Sequence, residues 1–131
     1  MARLLALAVS ALWLFFGATK LLWPDSVTLA SWRVPTPYAV LLGAIEVLLG
    51  VATLRKSLRI PALVTIAVAS AVAIAYHASA DPKSPCGCLG KIRLENDKMI
   101  LVSALSATLS GLAILADRGR ARGLRIATET P

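Results

Sequence analysis

The chain has 131 residues, a net charge of +7, and a composition that is 57% hydrophobic but only 5% aromatic. Soluble domains lie nearer about 45–50% apolar, so this balance argues against a water-soluble globular fold. Little soluble surface is left to bind nucleic acid, and the positive charge reads instead as a signal for topology and lipid headgroups.

The apolar excess sits in four runs of membrane-spanning length. A bilayer core about 30 Å thick needs roughly 17–25 apolar residues per helix. The first expected helix covers about residues 4–22 and is uncharged from Leu4 to Thr19. It is too long for a cleaved signal segment, whose apolar region is about 7–15 residues, and it has no convincing small-x-small cleavage site. Lys20 lies near its far end.

Trp23 to Pro37 forms the first connection. Trp23 and Trp32 suit the interfacial aromatic belt. Pro35 and Pro37 close the loop and open the second helix, expected at about 37–54, because proline is tolerated in a helix's first turn. Glu46 is the one charge in Tyr38–Leu54. An ionisable group at that depth is expensive and marks a candidate functional site. Gly43, Glu46 and Gly50 share a face, which would let a neighbouring helix come close. Glu46 lies about 13 Å below the start of its helix at 1.5 Å per residue, within reach of a bent Lys20 side chain. Two roles stay open for the pair: fixing helix register, or handling protons or orienting a quinone.

A very short connection carrying Arg55, Lys56 and Arg59 leads to the third helix, about 60–79, which Pro61 opens. This run is apolar all round, unlike a helix of a soluble bundle. No stretch alternates with period two over ten residues, which argues against a β-barrel. His77, the only histidine, lies at its outer end. It reads either as a polar anchor or as a group that deprotonates a cysteine or bonds a quinone oxygen.

The longest connection, roughly residues 79–98, contains both cysteines, Cys86 and Cys88, separated by Gly87. Pro82 and Pro85 stiffen its approach, while Gly87 and Gly90 permit a left-handed backbone. Cysteines i and i+2 can form a disulfide, but so small a ring removes little unfolded-state entropy. Exposed, constrained disulfides are the labile ones, so exchange is a better reason for the pair than stability. Lys83 and Lys91 flank the pair and favour the thiolate form. Copper or zinc binding with His77 is an alternative, although a closed zinc site wants four ligands. A structural staple is a third.

The fourth helix is expected at about 99–116. Ser103, Ser106 and Ser110 form a weakly polar face on it, most simply a packing face. Residues 117–131 are expected as a flexible basic tail on anionic headgroups. Four helices place both termini and the 55–59 connection on one side, with eight cations against six on the other. The positive-inside rule then puts the termini in the cytoplasm and the cysteine loop outside, in the cell (inner) membrane. The expected fold is all-α, an integral membrane four-helix bundle spanning residues 1–116.

"FFGATKLLWP", "GAIEVLLG" and "PCGCLG" together resemble the DoxX-like superfamily, and within it the methylamine-utilisation MauE type, over about residues 10–115. Gly17 and Lys20 match a glycine-x-x-lysine in helix one. Glu46 and Gly50 match a glutamate followed four residues later by glycine. Cys86 to Gly90 match a cysteine-glycine-cysteine-hydrophobic-glycine loop. The resemblance implies thiol–disulfide chemistry in the maturation of exported proteins, with methylamine metabolism as the pathway of the named branch. Relatives often carry a thioredoxin-like domain or partner; the matched residues contain no such domain, which implies a partner in trans. The working expectation is that Cys86 and Cys88 cycle at the outer face, exchanging with a thioredoxin-like extracytoplasmic protein. Electrons pass to or from a membrane quinone, and Lys20, Glu46 and His77 handle protons. A non-catalytic assembly factor is the competing expectation.

Overall fold

The computed structural model describes residues 1–29, 32–81, 83, 85–89 and 92–129, the last ten of these by backbone alone. Four helices run through it: α1 (Ala2–Leu22), α2 (Thr36–Leu54), α3 (Arg59–Ala78) and α4 (Asn96–Glu129). Each has a stretch long and apolar enough to cross a membrane, Asn96–Gly119 in the case of α4. The backbone of α4 continues helical to Glu129, so the segment expected as a tail extends the helix.

The radial distribution of side chains is that of a membrane bundle. Large apolar residues face outward; Leu4, Leu48, Val72, Leu101 and Leu115 are all exposed. The interior collects small and weakly polar residues, including Ser10, Thr53, Ser70, Ser106 and Ser110, around an apolar cluster of Val9, Trp13, Leu63, Ile66 and Ala113. Lipid is as apolar as leucine, so close packing and hydrogen bonds, rather than burial of large side chains, hold such helices together.

α1 and α2 show this most clearly. A Cβ on Gly17 would lie 2.6 Å from the Gly43 carbonyl oxygen, and one on Gly50 would lie 3.2 Å from the Ser10 carbonyl oxygen. Gly17 admits no larger residue without moving the helices apart, and at Gly50 an added methyl would press tightly on α1. The Ser10 hydroxyl donates to the Gly50 carbonyl at 2.8 Å across the same contact. Of the expected serine face on α4, Ser106 is a hydrogen-bonded junction with α1 and α3. Trp13 Nε1 donates to Ser106 Oγ at 2.9 Å, and Ser70 Oγ donates to the same oxygen at 3.1 Å. α2 touches α3 far less than α1 touches α2.

Arg59 at the start of α3 donates to the Thr53 carbonyl at 3.0 Å and approaches Asp117 of α4 at 3.6 Å. The short cationic connection and the end of the fourth span thus share one end of the bundle. The opposite end carries an element that the sequence reading took for loop: a small sheet of β1 (Thr28–Leu29), β2 (Trp32–Arg33), β3 (Pro85–Leu89) and β4 (Ile92–Glu95), in the order β2-β1-β3-β4. All neighbouring strands are antiparallel. The sheet ties the first long connection to the second and closes that end of the bundle. Its strands are two to five residues long, and the longest, β3, contains both proline and glycine, so none shows an alternation of its own.

Candidate functional site

β3 carries the cysteines. Cys86 pairs with Leu94 of β4, while Gly87 pairs with Thr28 of β1. The Gly87 N–H donates to Thr28 Oγ1 at 3.0 Å. A Cβ at Gly87 would collide with that same hydroxyl and sit 3.0 Å from the Ser26 carbonyl oxygen. Glycine is therefore required here for close approach of β1, not for the left-handed backbone anticipated from the sequence. Gly90, Pro82 and Lys91 lie outside the described residues, as does the side chain of Trp32. Lys83 is exposed on the approach to β3.

Cys86 and Cys88 form a disulfide, with Cα atoms 5.5 Å apart. The expectation that this pair sits open at the outer surface is corrected. Cys86 is 1% exposed and Cys88 8%. The reason is the sheet: β1 lies across the pair, and the Thr28 carbonyl oxygen stands 3.8 Å from Cys86 Sγ and 3.7 Å from Cys88 Sγ. A disulfide has no S–H, so these are packing contacts; a reduced thiol would find an acceptor already in place. Leu89, Met99, Phe16 and Leu94 pack around the sulfurs.

A ring nitrogen of His77 and the two sulfurs all lie within 4.8 Å of one another. His77 is buried, and its Nδ1 lies 3.0 Å from Asn96 Oδ1. Asn96, itself buried, donates from Nδ2 to the Asp81 carbonyl at 2.7 Å. A carbonyl only accepts, so the amide nitrogen must face Asp81 and the amide oxygen must face His77. Oδ1 in turn only accepts, so His77 Nδ1 carries a proton. In the neutral ring, Nε2 then keeps its lone pair free. Sequence reasoning passed over Asn96; its signal was a lone uncharged polar residue at the start of a membrane span. Thr28 and Asp81 were likewise invisible: Asp81 acts through its backbone carbonyl, and Thr28 through its carbonyl and a hydroxyl that meets Gly87 only across the sheet.

Lys20 and Glu46 form the pair expected from their depths. Lys20 Nζ is 2.8 Å from Oε1 and 2.7 Å from Oε2, and both residues are buried. Two ammonium protons are thus engaged. The pair lines a cavity of about 430 Å³ that also reaches His77, Ser103 and Cys88. The structure therefore brings Cys88, His77, Lys20 and Glu46 to one internal space, with Cys86 bonded behind Cys88. No buried side-chain nitrogen or oxygen among the described residues lacks a hydrogen-bond partner.

These features define a multi-pass membrane protein: four spanning helices, polar groups turned inward, and a disulfide enclosed at one end of the bundle. Within that class the chain belongs to the MauE family; the family model described as "Methylamine utilisation protein MauE" matches residues 1–116. The match covers all four spans and the cysteine loop, so this is a membrane protein of a methylamine-utilisation family. Searches of curated proteins and of solved structures gave no match.

Proposed function

We propose that this chain is a membrane thiol–disulfide redox protein that serves the maturation of extracytoplasmic proteins or their electron supply, exchanging with a thioredoxin-like partner. The observation that carries this reading is the Cys86–Cys88 disulfide with a histidine nitrogen within 4.8 Å of both sulfurs. A disulfide closing so short a loop contributes little to stability, whereas a neighbouring base serves exchange.

The exchange balances as follows. A partner thiolate attacks one sulfur of the pair, the S–S bond breaks, and the other cysteine leaves as a thiolate. The partner's second thiol resolves the mixed disulfide. The partner dithiol is oxidised to a disulfide, the pair here is reduced to two thiols, and the reverse sequence runs the same steps backwards. His77, with a ring nitrogen within 4.8 Å of both sulfurs, is the group placed to take and return the proton of a departing or attacking thiol. Because β1 covers both sulfurs, exchange with a protein requires the β1–β2 segment to lift. The cationic α2–α3 connection supports a cytoplasmic location for that end and for both termini, leaving the sheet in the extracytoplasmic space of the cell (inner) membrane.

Thiol trapping in intact cells tests the reading. The pair should be found partly oxidised, and Cys86→Ser or Cys88→Ser should accumulate a mixed disulfide with an extracytoplasmic protein. Cysteines that stay reduced, with no captured partner from either variant, would refute it.

A second reading rests on the same cluster. Once reduced, two thiolates and the His77 imidazole, oriented by its hydrogen bond to Asn96, would suit Cu(I) or Zn(II). Stoichiometric copper or zinc in protein purified under reducing conditions, lost in both His77→Ala and Cys86→Ser, would favour it over exchange.

A further inference from the structure

We propose that the cavity between α2 and α3 is a binding site for a lipid-soluble quinone, which meets the cysteine pair at Cys88 from within the membrane. The proposal rests on the redox reading above and names the second reactant.

The first ground is how the space is reached. Leu42 and Ile45 of α2 and Val72 and Tyr76 of α3 line the cavity, and each is also exposed on the outer face of the bundle. Residues that belong to both surfaces mark a mouth. This mouth lies along the loosely packed α2–α3 seam, at the level of the apolar spans, so it opens sideways into lipid. On the opposite side of the disulfide, β1 and the Thr28 carbonyl block the approach from water. In this closed arrangement, the reactant with access to the pair is one carried by the bilayer.

The walls narrow the chemistry further. About 430 Å³ is within the usual range for small-molecule pockets, roughly 300–1,000 Å³. Most of the lining is apolar, which suits a ring with an attached hydrocarbon tail. A lipid acyl chain would need nothing more. Yet the wall also holds two donors, Lys20 with its third ammonium proton and the Ser103 hydroxyl. Such donors suit a ligand with oxygen acceptors on an otherwise apolar frame. Cys88 lines the space and Cys86 does not, so one sulfur is presented to the ligand and the other stands behind it.

The electron count then points to the class. Converting a dithiol to a disulfide releases two electrons and two protons. A quinone takes up both of each and leaves as a quinol. In the balanced step, two S–H bonds break, the Cys86–Cys88 S–S bond forms, and the two protons and two electrons end on the quinone's oxygens. The reverse step reduces the disulfide with quinol.

The test uses the full chain in lipid nanodiscs, reduced with dithiothreitol and freed of excess reductant. A short-tailed benzoquinone is added; quinol formation is followed by ultraviolet absorbance and disulfide formation by alkylation and mass. One quinone reduced per chain is expected, and none with Cys88→Ser. Ala73→Trp, which fills the cavity, and Leu42→Trp, which crowds the exposed mouth, should each slow quinone reduction at least ten-fold. Both should still be reduced by dithiothreitol at the wild-type rate. Leu42 is 39% exposed, so its substitution spares the core if Ala73→Trp does not fold. Quinone reduction that fails in wild type, or that is unaffected by Leu42→Trp, overturns the cavity site; so does a tightly held acyl lipid that quinone does not displace. If dithiothreitol exchange still proceeds, the redox reading survives such a failure. A pair that exchanges with neither reagent removes both.

Discussion

Replacing Asn96 by alanine should disable His77 without touching a cysteine. The substitution deletes the donor to the Asp81 carbonyl, at 2.7 Å, and the acceptor for His77 Nδ1, at 3.0 Å. Asp81 is exposed, so water can replace the first bond. His77 is only 3% exposed, and its ring loses a partner that water does not easily replace. An unsatisfied buried polar group costs about 1–3 kcal/mol, so Asn96→Ala should destabilise the sheet end of the bundle by about that amount. The chemical consequence is separate. Without the amide oxygen, the imidazole proton is free to move to Nε2, which removes the lone pair nearest in role to a thiol base. Removing the outer-shell partner that orients a metal-ligating histidine typically costs about 10–100-fold, and we expect a loss of that order in the rate at which the reduced pair reacts with a small disulfide reagent at neutral pH. His77 is the only histidine, so histidine-selective 15N labelling reads its tautomer directly. Wild type should show a protonated Nδ1, Asn96→Ala a mixture, and Asn96→Asp, which keeps an acceptor, the wild-type tautomer with much of the reactivity. An Asn96→Ala protein with an unaltered nitrogen spectrum and unaltered thiol kinetics would refute the assignment.

Other consequences follow from the same geometry. Lys20→Met leaves the Glu46 carboxylate buried without its partner and should cost about 3–5 kcal/mol in unfolding titrations, whereas Lys20→Met with Glu46→Leu should recover most of it; equal loss in both would mean that the pair does more than satisfy itself. Gly17→Ala forces α1 from α2 and should cost about 1–3 kcal/mol, while Gly111→Ala, with nothing within 4 Å of the added Cβ, should be neutral or slightly stabilising in the same titration. Gly87→Ala should displace β1 from the disulfide, and reduction by a water-soluble phosphine should then be faster than in wild type; an unchanged rate would show that β1 does not limit access.

The spans were legible because hydropathy and length are local properties. Expected helix boundaries lie within about three residues of the observed helix and span limits, and the prolines at 35, 37 and 61 mark the starts of α2 and α3 as anticipated. The Lys20–Glu46 pair was legible for a related reason: in a bilayer a charge has few places to go, and depth along two antiparallel helices is simple arithmetic. The sheet was not legible, because it joins residues about sixty positions apart through strands too short to leave a periodic trace.

From its residues alone, then, this protein is a four-span membrane bundle with a paired lysine and glutamate inside and two thiols at one end. Which way those thiols face was decided only by the folded chain. That choice depends on the pairing of β1 with β3 and on the Thr28 carbonyl and hydroxyl, which no local side-chain pattern announces. The same holds for Asn96, whose role depends on the Asp81 carbonyl that orients it. Hydrophobic matching to the bilayer sets the helices residue by residue, whereas the sulfurs' enclosure and the histidine's tautomer depend on contacts that exist only after distant segments meet.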